Sequence, residues 1–260
     1  MLAIVLGTSE EEVHAALWEA VRQALVERLD GFYKFIHDRV QAAAYSLISR
    51  ALRAEVHLRI GRQLAAQTTP EKREEAIFEI VTHLNRGAAL IAEQDERDQL
   101  AELNLIAGKR AKGSSAYAAA LTYLTVGASL LGDEDWEPNH QLRFAMELHR
   151  AECEYLLGEL ASAEERLAML STRAQTTVDF AAVSCLRINL YTTLDRSDSA
   201  VEVGLEYLLR VDGQWSPHPT AKDVRQDYDR LWRQLGSASI EALVPRPRGF
   251  DRLDLSLQDG

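Results

Sequence analysis

The 260-residue chain has few residues that break helices or crosslink chains: 6 prolines, 14 glycines and 2 cysteines. With hydrophobic residues at 47%, dominated by Ala and Leu, this shortage favours helices over sheets and supplies a core. Cys153 and Cys185 lie within apolar helical patterns and lack the spacing of metal ligands or of a redox motif. We therefore expect two reduced, buried thiols and no disulfide.

Positive charge is also scarce, because 29 Lys and Arg stand against 40 Asp and Glu, giving a net charge of -11. Phosphate backbones and anionic membranes are bound by clustered positive charge, so we expect neither nucleic acid nor membrane as a partner. No segment approaches the roughly 20 consecutive apolar residues of a membrane span, and the first seven residues lack the basic flank of a signal peptide. The expected location is the cytoplasm.

Motifs for catalysis are missing as well. The sequence has no GxxxxGK[ST] phosphate loop, no GxSxG elbow, no HExxH pair and no GxGxxG fingerprint. We therefore expect no catalytic residue, no metal site and no cofactor bound by this chain itself. The histidines are spread over several predicted elements and are not paired at helical spacing; they are His14, His37, His57, His83, His140, His149 and His218.

The N-terminal segment predicts a helix, a β-hairpin and a second helix. A capping box starts at Ser9, ahead of an apolar helical pattern. Two short runs, 25–29 and 32–36, are joined by Asp30-Gly31, a dipeptide typical of two-residue hairpin turns. Asp38 is expected to cap the helix that follows. This order of elements is typical of the end of a winged-helix domain.

From about residue 50 onward, one amphipathic helix follows another. Thr69 is expected to cap the second of them, with Pro70 at its first position. Small residues that let helices approach recur at Ala119, Ala163 and Ala200, which indicates an internal repeat. The predicted helices span residues 52–66, 71–91, 97–112, 116–131, 139–157, 160–174, 178–194, 199–211 and 221–235.

The predicted fold is all-α, a tetratricopeptide-like α–α superhelix preceded by a partial winged-helix domain with one hairpin. The clearest repeat unit is 151–167, whose Ala, turn Gly and Ala resemble a tetratricopeptide repeat. Residues 1–50 form the end of the winged-helix domain, 51–243 the repeats and 244–260 a poorly ordered tail. Such repeats stack to bury their apolar faces, which leaves a concave surface for a partner.

Two further groups of residues have competing interpretations. His37 lies between the hairpin and the next helix, where an imidazole is able to donate to a phosphate held by a neighbouring domain. Another interpretation is a residue that satisfies local backbone groups. A third is the phosphoacceptor of a histidine kinase, although the apolar, basic and Pro-ending continuation expected after such a histidine is absent. Trp18 and Trp232 are expected to pack in helices, whereas Trp136 and Trp215 in loops are expected to dock onto neighbouring helices.

Four segments resemble the signal-transducing ATPases called STAND ATPases. The resemblance is closest to large bacterial proteins that join a serine/threonine kinase, an AAA-type ATPase, a helical repeat region and a sensor histidine kinase. The segments are Asp30–Ile48, Ala76–Gly87, Leu103–Lys112 and Ala200–Leu208.

The resemblance implies that His37 senses bound nucleotide by reaching the phosphate of ADP, with Asp38 as its structural companion. ATP or ADP is then implied for the parent protein. We expect the chain to be a fragment or a truncated gene that relays signals without catalysis to protein partners or neighbouring domains. The alternatives are a winged-helix DNA-binding regulator and an inert remnant.

Overall fold

A computed structural model describes residues 7–30, 32–132, 136–137, 139–211 and 219–235. The chain divides into two compact units, Met1–Cys153 and Glu154–Gly260. Within the described residues no helix is long and apolar enough to cross a membrane. Trp215, the last eight residues of the predicted repeat region and the predicted tail lie outside the described residues.

The first unit contains a two-stranded sheet and most of the helices, and the boundary between the units falls within helix α7. Its elements are α1 (Glu10–Arg22), β1 (Val26–Leu29), β2 (Phe32–Phe35), α2 (Asp38–Ser46), α3 (Arg50–Gln67), α4 (Pro70–Gly87), a 3-10 turn (Ala88–Leu90), α5 (Gln94–Gly113), α6 (Tyr117–Leu130) and α7 (His140–Leu157). The second unit contains α8 (Leu160–Arg173), α9 (Thr177–Thr193), α10 (Ser197–Val211) and α11 (Ala221–Leu235). In the described ranges the fold is therefore mostly all-α with one hairpin, as predicted.

The capping box and the hairpin form as predicted. The Ser9 hydroxyl accepts from the Glu12 amide, and the Glu12 carboxylate accepts from the Ser9 amide, both at 3.1 Å. Strands β1 and β2 are antiparallel with Leu29 opposite Phe32, the register of a two-residue turn.

One predicted cap is wrong by one residue, and the other is confirmed in position but makes no side-chain capping bond. His37, with extended φ and ψ of -131° and 137°, is the N-cap of α2, and Asp38 is already the first helical residue. Thr69 is the N-cap of α4 with Pro70 next, but its hydroxyl makes no capping bond. In both cases the backbone enters the helix from an extended residue, and no side-chain oxygen receives a helix amide.

Helices α3, α4 and α5 are held together by buried aliphatic side chains. Each such side chain contributes roughly 1.5–3 kcal/mol when it is fully buried. This cluster consists of Leu58, Leu64, Ile80, Leu84, Ile91 and Leu100. Helices α3 and α4 also approach closely at a glycine, since a Cβ on Gly61 would lie 2.6 Å from Leu84 Cδ2, and α5 approaches α6 in the same way at Gly108, 2.6 Å from Leu124 Cγ.

Three helix hairpins share one turn geometry. In each, a residue in the left-handed region (Ser115, Gly158 or Asp195) precedes an amide that donates to the carbonyl five residues earlier. This bond closes the end of a helix as a Schellman turn does. The bonded pairs are Ala116 to Ala111, Glu159 to Glu154 and Arg196 to Tyr191, at 2.9, 2.9 and 2.8 Å.

In each hairpin a small residue lies nine positions after the residue whose carbonyl accepts this bond. These small residues are Ala120, Ala163 and Ala200. Ala120 and Ala163 are fully buried, and Ala200 is half-buried. The prediction of Ala119 is wrong by one residue, since Ala119 is exposed. The three hairpins share the nine-residue spacing only when Ala120 takes the place of Ala119.

Burial corrects three other predictions. Cys153 and Cys185 are free thiols as expected, but only Cys153 is buried and Cys185 is exposed. Trp18 and Trp232 are 54% and 46% exposed, so neither is buried in a core, and their ring contacts are with His14 and Tyr228 of their own helices. Trp136 lies against the first turn of α7, with its ring 5.3 Å from that of His140.

Candidate functional site

His37 and Asp38 lie where the hairpin passes into α2. The Ile36 amide donates to the Leu25 carbonyl at 3.2 Å, which closes the strand pair just before His37. The His37 carbonyl accepts the amides of Val40 and Gln41, while its imidazole makes no hydrogen bond to another described residue. Both side chains are exposed. An imidazole at a helix N-terminus is accessible there to a group outside the chain, and the predicted sensing role stays a prediction.

The other end of α2 is attached to α3 through Tyr45 and Arg53. The Arg53 guanidinium lies 4.4 Å above the Tyr45 ring, within cation–π range. The same guanidinium donates to the carbonyls of Ile48 and Ser46 at 2.7 and 3.1 Å. These bonds satisfy backbone acceptors that the end of a helix leaves free. Helix α2 therefore runs from the exposed His37 to an anchored C-terminal end.

The Tyr45 hydroxyl also contacts His57, which is in turn paired with His83. It lies 3.1 Å from His57 Nε2, and His57 Nδ1 lies 2.9 Å from His83 Nδ1 on α4. Arg86, one turn further along α4, places Nη1 3.4 Å from His57 Nε2. We name these four residues, Tyr45, His57, His83 and Arg86, the histidine contact. It joins α2, α3 and α4 through side-chain hydrogen bonds.

Burial and charge lower the pKa of both imidazoles of the histidine contact. Burial lowers the pKa of His57, and His83 and Arg86 lower it further. Burial also lowers the pKa of His83, with Arg86 acting in the same direction and Glu79 opposing it. Neutral imidazoles both donate and accept, so the pair is able to transmit hydrogen-bond direction from one helix to the next.

A buried asparagine pair continues these polar contacts from α4 to α5. Asn85 and Asn104 exchange two amide hydrogen bonds of 2.8 and 2.9 Å, and Asn104 also donates to the Leu100 carbonyl. Asn104 is fully buried and has all these partners within the first unit. Polar groups buried in this way fix the register of the helices that carry them.

A charged cluster joins α5 to α7. Lys112 Nζ contacts the Glu152 carboxylate and lies 3.1 Å from His149 Nδ1. Burial opposes ionisation of Glu152, but hydrogen bonds from His149 and Lys112, with the Lys112 charge, lower its pKa to about 2. Burial lowers the pKa of His149. The acid is thus a paired carboxylate, which lacks the poised pKa of a general acid or base.

The second unit contains ion pairs between neighbouring helices. Arg166 donates to both oxygens of Glu154 at 2.9 and 2.7 Å, and Glu154 is 4% exposed. Arg196 reaches Glu164 at 2.7 Å. Bidentate pairs of this kind position helices and need no ligand. In the described parts of both units, no three His, Cys, Asp or Glu side chains are grouped as metal ligands.

Sequence reasoning missed the histidine contact. His57 and His83 are 26 residues apart, and the search for histidines at helical spacing treats them as scattered. Each precedes a buried leucine, Leu58 or Leu84, which is the local signal that both lie beside a core-facing position. Their pairing depends on how α3 and α4 are aligned, and no spacing within one helix encodes that alignment.

Comparison with known proteins gives one similarity and two negative results. No protein-family model matches the chain, and no solved structure matches it. The chain is similar to hybrid signal transduction histidine kinase G of Dictyostelium discoideum, with 27% identity over 236 residues. The alignment covers 82% of this chain and 7% of that protein, so the chain spans a small part of the length of this relative. The similarity is to a region of a signalling protein.

Proposed function

We propose that this chain is a non-catalytic interaction and relay segment of a larger signalling protein of the STAND ATPase type. In this proposal the α1–hairpin–α2 segment is the end of a winged-helix domain, and the helices from α3 onward are tetratricopeptide-like repeats. ATP or ADP is bound elsewhere in the parent, and the signal passes through this chain to protein partners or neighbouring domains in the cytoplasm.

The histidine contact carries the proposal. Helix α2 begins at His37 and ends beside Tyr45, so a displacement at the exposed end reaches the hydroxyl that lies 3.1 Å from His57. From His57 the polar contacts run to His83 on α4, and the Asn85–Asn104 pair joins α4 to α5. A chain of hydrogen bonds between rigid helices is a physical route for coupling distant sites.

Two observations support the repeat interpretation. The first is that the same turn occurs in three hairpins, each with a left-handed residue and a backbone hydrogen bond that spans five residues. In each hairpin a buried or half-buried Ala lies nine positions after the residue whose carbonyl accepts that bond. A repeated hairpin with small residues at fixed positions is what stacked helix pairs require. The relative in Dictyostelium is named a signal transduction histidine kinase, which accords with a signalling parent.

The rival DNA-binding function has less support. Helix α2, the exposed helix that follows the hairpin, contains one basic side chain, Arg39, directly after the acidic Asp38. Duplex recognition by a helix depends on several Lys and Arg contacts with phosphates and bases. We therefore expect no salt-dependent binding of duplex DNA to the purified chain, measured by fluorescence anisotropy.

Hydrogen–deuterium exchange on the intact chain tests the relay. Tyr45→Phe removes the hydroxyl and keeps the ring over Arg53, so α2 should lose its hydrogen bond to His57 without losing the contacts with Arg53. We expect amide exchange near His57 in α3 and near His83 in α4 to rise by about fivefold, the factor that one hydrogen bond represents. Loss of protection confined to α2 would contradict the relay.

The matched control is Tyr123→Phe, the same chemical change at a ring that stacks on Phe78 at 5.7 Å. Its exchange pattern in α3 and α4 should equal that of the unmodified chain. The absence of catalysis is tested with the purified chain and magnesium ATP. We expect no turnover, and turnover abolished by His37→Ala would identify an enzyme.

A further inference from the structure

We propose that the histidine contact is a proton-operated switch, in which uptake of one proton by the His57–His83 pair reverses its hydrogen bonds and weakens the hold of α3 on α2. This inference rests on the proposed relay and specifies how that relay is regulated. It concerns the same side chains, and it assigns them a chemical trigger that nucleotide sensing at His37 does not supply.

The positions of the donors fix the tautomer of His57. Arg86 is a donor only, and its Nη1 points at His57 Nε2 from 3.4 Å, so Nε2 has to accept. The Tyr45 hydroxyl at 3.1 Å then donates to the same nitrogen. The ring hydrogen of neutral His57 is consequently on Nδ1, from which it is donated to His83 Nδ1 at 2.9 Å. His83 carries its own hydrogen on Nε2.

Proton uptake reverses this order. The hydrogen on His57 Nδ1 passes along the 2.9 Å bond to His83 Nδ1, and a proton from water binds to His57 Nε2. The His57 Nδ1–H bond breaks, the His83 Nδ1–H and His57 Nε2–H bonds form, and the pair gains one positive charge on His83. His57 remains neutral in its other tautomer. Its Nε2–H now faces the donors that it accepted before.

The consequence falls on Arg86 and Tyr45. Arg86 has no acceptor lone pair, so its Nη1 is repelled from an Nε2 that carries hydrogen. The Tyr45 oxygen would then accept from His57 Nε2–H instead of donating to its lone pair. A phenol oxygen is a weaker acceptor than an imidazole nitrogen, so this hydrogen bond is weaker than the one it replaces. The exposed Arg86 side chain moves into water, and α2 retains the Arg53 contacts alone.

The charges around the pair set the pH range. Arg53 and Arg86 are the cations that face it from α3 and α4, Tyr45 faces it from α2, and the exposed Glu79 lies one turn before His83 on α4. Burial and the charge of Arg86 lower the pKa of both imidazoles below the ordinary value of about 6.5, His83 lowers that of His57 further, and Glu79 opposes the shift at His83. The contact is therefore closed at neutral pH and opens on the acid side.

The close approach of α3 and α4 leaves the pair little freedom to separate instead. A Cβ on Gly87 would lie 2.7 Å from Leu58 Cβ and 2.8 Å from the Ala54 carbonyl oxygen, so the two backbones nearly touch beside His57 and His83. The repulsion from the new hydrogen is then relieved at the exposed partners, Arg86 and Tyr45. This geometry directs the response toward α2.

Side-chain nitrogen NMR on the intact chain tests the tautomers. At pH 7.5 we expect His57 with hydrogen on Nδ1 and an unprotonated Nε2. On acidification below pH 6.5, the nitrogen signals should show that His57 Nε2 and His83 Nδ1 become protonated together. The pair should take up one proton in this step. A His57 that carries its hydrogen on Nε2 at pH 7.5, or a pair that takes up its first proton above pH 6.5, would overturn the switch.

Hydrogen exchange tests the mechanical effect. His83→Gln keeps an amide at the contact and cannot take up the proton. Each sample is compared with the original chain at the same pH, which cancels the intrinsic pH dependence of exchange. We expect α2 protection to agree within about twofold at pH 7.5, and α2 of the original chain to exchange about fivefold faster than the variant at pH 5.

The outcomes separate the switch from the relay. If the ratio of α2 exchange rates between the original chain and His83→Gln is the same at pH 7.5 and pH 5, the switch is overturned. The Tyr45→Phe result at pH 7.5 still decides the relay. If Tyr45→Phe leaves α3 and α4 unchanged but the pH ratio is found, the switch stands and the relay falls. His57→Gln is the second variant. It also removes the bond from Tyr45, so its α2 should be less protected than in His83→Gln at both pH values, and the ratio between these two variants should not change with pH.

Discussion

Asn85 of α4 and Asn104 of α5 hydrogen-bond to each other in both directions, at 2.8 and 2.9 Å, inside the apolar core of the first unit. Asn104 uses its remaining amide hydrogen on the Leu100 carbonyl of its own helix. The pair therefore has few ways to rearrange, because a shift of one helix along the other would leave the buried Asn104 amide and the half-buried Asn85 amide without partners.

Asn104→Ala should be among the most destabilising single substitutions in the first unit. It leaves the Asn85 amide without its partner and opens a cavity at a fully buried position, which together cost about 2–4 kcal/mol. Urea unfolding followed by circular dichroism measures the loss. Asn189→Ala, at an exposed position of α9, should change stability by less than about 0.5 kcal/mol. Equal effects of the two changes would contradict the asparagine pair as a buried anchor.

Two Gly→Ala substitutions should have opposite signs. At Gly87 the new Cβ meets the Ala54 backbone oxygen at 2.8 Å, and backbone cannot step aside, so we expect a loss of about 1–3 kcal/mol. At Gly204, within α10, the nearest atom lies at 3.8 Å, so alanine should add up to about 1 kcal/mol through its helix propensity. Thermal unfolding of both variants measures the difference, and a neutral Gly87→Ala would refute the close α3–α4 crossing.

The shared turn geometry gives a third test. Gly158 has a φ of +81°, where a Cβ is strained, so Gly158→Ala should cost about 1–2 kcal/mol. Ser115, with a φ of +59° at the equivalent place, already bears that strain, so Ser115→Gly should be neutral or slightly stabilising. Melting temperatures of the two variants should therefore move apart. Similar shifts in the same direction would show that the two turns are not equivalent.

Acid should weaken the first unit through Glu152. Its pKa of about 2 in the folded chain lies below the ordinary value of 4.5, so unfolding binds a proton between these values. Stability is thus complete above pH 4.5 and is lost as pH falls toward 2. The slope is below the limit of about 1.4 kcal/mol per pH unit, because exposure weakens the pairing.

Denaturant unfolding between pH 2 and 6 measures this slope. Glu152→Gln should reduce the acid dependence, and Lys112→Met should raise the pKa of Glu152 and lower stability at pH 6. Glu165→Gln, at an exposed position of α8, is the control and should leave the slope unchanged. An unchanged slope in Glu152→Gln would show that Lys112 does not hold this carboxylate ionised.

Local structure was largely predictable from the sequence. Helix bounds follow from amphipathic spacing, and the hairpin follows from Asp30-Gly31 between two β-prone runs, because both signals act over a few residues. The cap at His37 was displaced by one position because Asp38 is a stronger capping residue than the one the backbone uses. The orientation of Cys185 and the exposure of Trp18 depend on which face of a helix finds a partner.

The polar contacts between helices could not be predicted. The Tyr45–His57–His83 contact and the Asn85–Asn104 pair each depend on the alignment of separate helices, and close packing at Gly61 and Gly87 brings α3 and α4 together. Periodicity places a residue on a face, but it leaves the depth at which two helices cross undetermined. For His37, the position between hairpin and helix can be predicted from the neighbouring residues. Its proposed ligand cannot, because that ligand would be held by another part of the parent protein.

The central claim is that α2 is coupled to the α3–α4 pair through the Tyr45–His57 bond. A double-mutant cycle at pH 7.5, with Tyr45→Phe, His57→Gln and the double variant, tests it most directly. We expect the two single changes to be non-additive by about 1 kcal/mol in the free energy of unfolding, because the hydroxyl and the ring nitrogen stabilise the chain through the same bond. Additive losses, with a coupling indistinguishable from zero, would mean that α2 does not act on the helix pair through this contact.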